Sequence, residues 1–146
     1  MSEKMSKYDI SKHIKNKERV CLIGGLGVTS LYVGILDSLK KLEIVPKKYI
    51  LITSPEIQNE FNKLNITNPH QIINDVHALD YQTVLRENYI EVYNMCRNII
   101  ESNIRDFEMV CELTGGTKPV SIALTVLAEK FNLLRIYYSG RTLIRI

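Results

Sequence analysis

With 146 residues, 45% of them apolar and 24% charged, the chain has the length and composition of one soluble globular domain, spanning 1–146. Nineteen basic against sixteen acidic residues leave a formal charge of +3, too small to argue for duplex nucleic acid but compatible with a small anionic ligand. The three cysteines, Cys21, Cys96 and Cys111, are odd in number and widely spaced, which speaks against a disulfide framework or a zinc site and suits a reducing cytoplasm.

The opening MSEKMSKYDISKHIKNKERV is charged throughout, so no signal peptide is expected. No apolar run approaches the roughly 20 residues needed to cross a bilayer. VCLI (20–23) reads as a first strand and 29–42 as a helix. YILIT (49–53) reads as a second strand, followed by a helix over 54–64 with Ser54 as its cap and Pro55 in its first turn. A weaker third strand is expected near 71–76. A helix over 80–102 follows, with Leu85, Tyr89, Val92, Cys96 and Ile99 at helical spacing. FEMVCEL (107–113) reads as a buried strand and Thr117 to Phe131 as a helix. LLRIYY and TLIRI flank Ser139-Gly140-Arg141 as a hairpin.

Strand and helix alternating four times predict an α/β fold: a Rossmann-like, doubly wound, mostly parallel sheet with a C-terminal antiparallel hairpin. In such sheets ligands bind beyond the carboxyl ends of the strands. That places Gly24–Ser30, Thr53–Glu56, Asp75–Leu79, Thr114–Lys118 and Ser139–Arg141 on one rim.

Two of those segments are rich in glycine. Gly25-x-Gly27-x-x-Ser30 has two glycines of the dinucleotide fingerprint, but serine stands in the third place. The second strand ends in Thr53-Ser54 where an acidic residue would hold a ribose. A nicotinamide cofactor is therefore not expected. The glycines serve either a sharp turn or close approach by a phosphate, with Thr29 and Ser30 at a helix N-terminus. TGGTK (114–118) lacks the adjacent Gly-Lys of a Walker loop. Thr117 can cap the next helix and Pro119 suits its first turn. Lys118 there opposes the helix dipole, a penalty of roughly 0.3–1 kcal/mol that a bound phosphate removes. His13, His70 and His77 have no ligand spacing, and neither cofactor nor metal is expected.

ELTGGTKPVSIAL (112–124) resembles the signature of the CARF domain, the CRISPR-associated Rossmann fold that binds cyclic oligoadenylates. Glu112, Thr114, Gly115, Gly116, Thr117, Lys118 and Ser121 match the pattern, and Pro119-Val120 departs from it where methionine is common. The loop from Gly24 to Ser30 resembles the family's other ligand-contacting loop. The resemblance implies a homodimer with cyclic oligoadenylate across its two-fold axis, cyclic tetra-adenylate being favoured and cyclic hexa-adenylate admitted. It implies ligand contacts from Gly24, Gly25, Gly27, Thr114, Gly115, Gly116, Thr117 and Ser121. The rim that the sheet topology predicts adds Thr53 and Ser54, and Arg141 in the hairpin turn beside it either meets the ligand or is a solvent-exposed turn residue.

Most family effectors attach an output domain, and none is visible in these 146 residues. The chain thus resembles a stand-alone ring nuclease of type III CRISPR defence, which opens the ring and ends the signal. A metal-independent reaction is implied, in which a ribose 2′-hydroxyl attacks the neighbouring phosphorus to leave a 2′,3′-cyclic phosphate. Lys118, Thr29 and Ser30 would carry it. The alternative is a non-catalytic sensor module of an effector or transcription regulator. Neither a membrane nor duplex nucleic acid is expected as a partner.

Overall fold

The computed structural model describes residues 10–25, 29–53, 79–83, 88–140 and 142–146. Nine elements follow in chain order among them: β1 (Val20–Gly25), α1 (Thr29–Lys40), β2 (Lys48–Thr53), β3 (Leu79–Thr83), α2 (Tyr89–Asn103), β4 (Glu108–Glu112), α3 (Lys118–Phe131), β5 (Leu134–Tyr138) and β6 (Leu143–Arg145). The strands form one sheet of order β3-β2-β1-β4-β5-β6. All neighbours are parallel except the β5–β6 pair. This is the doubly wound sheet with a terminal hairpin that strand–helix alternation predicts.

Alternation along each strand builds two cores. Val20 and Leu22 of β1, Tyr49 and Leu51 of β2, and Val110 of β4 join Ile35, Leu36 and Leu39 of α1 on one face. Cys21, Ile23, Ile50, Ile52, Met109 and Cys111 point the other way, to Val92, Cys96 and Ile100 of α2 and Val120, Ala123, Leu124 and Leu127 of α3. The central strands are buried on both faces, so they read as continuous apolar runs. All three cysteines are buried and outside any disulfide, as a role as small hydrophobes requires.

One stretch differs from the sequence reading. Residues 80–83 are strand, not the start of a helix, and α2 begins at Tyr89 behind Asn88, whose side chain accepts from the Glu91 amide at 3.1 Å. Leu-Asp-Tyr-Gln-Thr alternates with period two, the pattern of an edge strand, and pairs with Tyr49–Thr53 along its length. Leu79, expected on the ligand rim, is therefore aligned with Tyr49 near the opposite, amino edge of the sheet. The face of α2 also shifts by one position. Val92, Cys96 and Ile100 are buried, whereas Ile99 is half-buried and Tyr89 is exposed. The strand expected near 71–76, the helix over 54–64 and Leu85 lie outside the described residues.

Candidate functional site at the switch between β1 and β4

Strand order reverses between β1 and β4. The chain leaves β1 through α1 on one face and leaves β4 through α3 on the other, so the two loops diverge from adjacent strand ends. A crevice at such a switch point is where open α/β sheets hold ligands.

Backbone contact closes the floor of this crevice. A Cβ on Gly25 would lie 2.5 Å from Gly116 Cα and 2.6 Å from the Gly115 carbonyl oxygen. Gly116 also has φ +83°, a left-handed conformation that favours glycine. Gly24 and Gly25 are the last residues of β1, paired with Leu51 and Ile52, and not part of the loop. The sequence allowed a sharp turn or a phosphate to explain these glycines; the close approach is by the second glycine turn itself. Gly27 lies outside the described residues.

Beneath the turn sits Glu112, the last residue of β4, with 0% of its surface exposed. Its carboxylate accepts from the Thr114 amide at 2.7 Å and from the Tyr49 hydroxyl at 3.4 Å. The Thr114 hydroxyl and the Gly115 amide also donate to it. Burial pushes its pKa up, against the pull of these hydrogen bonds. Gly24, opposite Glu112 in the ladder, makes the room: a Cβ there would lie 3.2 Å from a carboxylate oxygen.

The turn is tied sideways as well. The Thr114 hydroxyl accepts from the Tyr138 amide at 2.7 Å, and the Leu113 amide donates to the Ile136 carbonyl at 3.0 Å. Tyr138 ends β5, its ring packs where Gly34 of α1 lacks a side chain, and its hydroxyl donates to the Gly140 carbonyl at 3.0 Å. The hairpin turn, closed by Ser139 and Thr142, thus stands beside the glycine turn. Arg141 lies outside the described residues.

At the outer end of the turn, Thr117 is the N-cap of α3 in extended conformation, but its side chain makes no capping bond. Proline follows in the first turn, and no acidic residue stands there to complement the helix dipole. Lys118 is exposed and has no hydrogen-bond or ion-pair partner among the described residues. Ser121 turns inward instead, donating to the Leu113 carbonyl at 3.3 Å. The expected cap by Thr117 is thus missing, and the start of α3 presents amides, a hydroxyl and a cation with no acidic partner.

The fold therefore brings Gly24, Gly25, Thr114, Gly115, Gly116, Thr117 and Lys118 together. Thr29 opens α1 directly after the β1 loop, with Ser30 next to it. Thr53, at the carboxyl end of β2, is buried, and Ser54 lies outside the described residues. Tyr49 and Tyr138 were given no part in the site by the sequence, and Glu112 was matched to the CARF pattern without a role. An acidic residue closing an apolar strand was the available signal for Glu112. No cluster of three metal-ligating side chains occurs among the described residues. A groove of about 790 Å³ runs along α2, lined by Lys48, Asn94, Met95 and Asn98 among others, but it includes neither glycine turn nor Lys118. Backbone geometry, not cavity size, singles out the candidate site.

The family model described as the Card1 CARF domain matches residues 33–143. The chain belongs to this CARF family. No curated protein matches it. Among solved structures, Can2 from Sulfobacillus thermosulfidooxidans in complex with cyclic tetra-adenylate is similar at TM-score 0.60 and 18% identity, over 81% of this chain and 31% of that one. Enterococcus italicus Csm6, bound to cyclic hexa-2′-fluoro-hexa-dAMP, is similar at TM-score 0.60 and 12% identity, over 85% and 34%. A type III CRISPR defence DNA nuclease activated by cyclic oligoadenylate is similar at TM-score 0.64 and 18% identity, over 95% and 23%. At these identities the likeness is one of fold, and this CARF chain spans between 23% and 34% of each of those proteins.

Proposed function

We propose that this CARF chain binds a cyclic oligoadenylate across a homodimer and opens it by metal-independent cleavage. The observation that carries the reading is the junction of Gly25 with Gly116, which sets a dipole-bearing helix start, with Lys118 unpaired among the described residues, beside the end of the strand that precedes Thr29. Exposed amides, hydroxyls and one cation on a glycine floor suit a phosphate. The family match, and the cyclic oligonucleotides named for Can2 and Csm6, support the ligand class.

A cyclic oligoadenylate with an even number of units is itself two-fold symmetric, so paired copies of one half-site can meet it. Ile122 and Val126, one turn apart on α3, are 53% and 46% exposed, which supports a contact between copies along that helix. In this reading the 2′-oxygen bonds to phosphorus as the P–O5′ bond breaks, and the proton lost by the 2′-hydroxyl is balanced through solvent by one gained at the departing 5′-oxygen. Lys118 stabilises the phosphorane, and Thr29 or Ser30 orients the 2′-hydroxyl. Gly24, Gly25, Gly115 and Gly116 floor the site and Thr117 faces the ligand, whereas Thr53 is buried and Thr114 and Ser121 turn inward to support the turn. Ligand contacts from Gly27, Ser54 and Arg141, which lie outside the described residues, belong to the same proposal.

A second reading, a sensor that binds without cutting, is favoured by coverage alone: the matched part is only 23% to 34% of each similar structure. Incubation with labelled cyclic tri-, tetra- and hexa-adenylate, with and without EDTA, tests both. Linear products in EDTA support the nuclease. Ligand bound but recovered intact supports the sensor, and no binding of any ring rejects both.

A further inference from the structure

We propose that Glu112 is the positioning residue of this site: its carboxyl takes up the inner polar groups of Thr114 and Gly115 and leaves Gly116, Thr117 and Lys118 as the turn's outward face. A buried carboxyl is costly unless donors surround it. Here the donors come from the turn it supports, and the Tyr49 hydroxyl of β2 adds one from outside it.

Successive backbone amides of a glycine turn form a concave nest for anions. In this chain the first part of the nest is already taken up by the protein's own carboxyl group. A phosphate arriving from outside therefore meets the second part of the turn and the first amides of α3. Through Thr114 the arrangement extends to Tyr138, so Tyr49, Glu112, Thr114 and Tyr138 link β2, β4 and β5 beneath the rim. Gly24 is required for the same reason, since a side chain there would press on the Glu112 carboxyl. Glu112 touches no ligand in this scheme. It acts by fixing where Gly116 and Lys118 stand.

The binding arm of the test rests on the ligand reading above; the spectroscopic arm does not. Glu112→Gln in the full chain keeps the side chain's shape but removes the charged acceptor. The Thr114 and Gly115 amides should move in ¹⁵N–¹H spectra and exchange on the order of tenfold faster, as loss of a charge-assisted hydrogen bond implies. Amides of 20–23 in β1 should stay in place. Affinity for cyclic tetra-adenylate should fall on the order of tenfold. Val110→Ala, a cavity two residues earlier in the same strand, should lower stability while leaving those two amides and the affinity unchanged. Unmoved Thr114 and Gly115 resonances in Glu112→Gln overturn the proposal, as does an equal loss of affinity in Val110→Ala. If the wild type binds no cyclic oligoadenylate, the ligand reading fails, and the amide arm still decides whether Glu112 holds the turn.

Discussion

Gly25 and Gly116 meet backbone to backbone: a Cβ on either one would fall within 2.6 Å of the other's Cα. The end of β1 and the turn after β4, 91 positions apart in the chain counted from 25 to 116, thus share one contact that tolerates no side chain on either partner.

Alanine at either position must push the loops apart. Gly25→Ala and Gly116→Ala should each lower stability by about 1–3 kcal/mol, the second also bearing the strain of φ +83°. Once one methyl has separated the loops, the second meets less resistance. The double variant should therefore cost less than the sum of the two. Urea unfolding of the four proteins measures the cycle, and strict additivity would show that the loops do not touch.

Glu112 gives stability a pH dependence of definite sign. Its carboxyl is raised above its ordinary value of 4.5, chiefly by burial. The folded state therefore holds its proton to higher pH than the unfolded state does. Its contribution to stability is full below the ordinary value and is lost as pH rises through the folded pKa. Glu112→Gln stays neutral throughout, so it should gain on the wild type as pH rises across that window. Thermal unfolding at a series of pH values reads the difference, and a constant gap between the two proteins contradicts a desolvated Glu112.

The thiols should be silent in the native protein. Burial pushes Cys96 and Cys111 up to about 12, which leaves almost no thiolate at neutral pH. A disulfide reagent such as Ellman's should react with them only as fast as the protein opens, and at once in denaturant. Immediate labelling of the folded chain would place these cysteines outside the core.

The dimer proposal turns on α3. Ile122→Glu puts a charge where a partner helix would pack, at a position exposed enough to leave the single chain folded. Light scattering should show the wild type as a dimer and this variant as a monomer, with ligand affinity reduced because each half-site is incomplete. A monomeric wild type, unchanged by ligand, removes the two-fold site.

Much of this was legible beforehand because it rests on local pattern. Apolar runs bounded by turns located β1, β2, β4 and the hairpin, and helical periodicity located α1 and α3. The error at 80–83 arose where a short alternating stretch adjoins a helix: Tyr81 fits either period, and only pairing with β2 decides for strand. The site was legible as composition but not as arrangement. TGGTK announced an anion, yet nothing local could say that Gly116 packs on Gly25 or that Thr114 faces inward to Glu112. Those are contacts between segments distant in sequence. Thr117 shows the limit from the other side: its residue type predicts a cap, and its hydroxyl makes none.

Lys118 and the nature of the nucleophile decide between nuclease and sensor. Lys118→Ala should change stability by less than about 0.5 kcal/mol, because the side chain is exposed and unpaired among the described residues. If the lysine meets charge that grows in the transition state, turnover should fall about 10²- to 10³-fold and affinity much less. Cyclic tetra-adenylate with every 2′-oxygen methylated should bind without being cut, since it lacks the attacking hydroxyl. EDTA should leave cleavage of the natural ring unchanged. Thr29→Ala and Ser30→Ala should lower turnover more than affinity if either hydroxyl aligns the ribose. Cleavage of the methylated ring would rule out 2′-hydroxyl attack. Tight binding of the natural ring, recovered whole after hours with stoichiometric protein, would leave Lys118 a binding group and this chain a sensor.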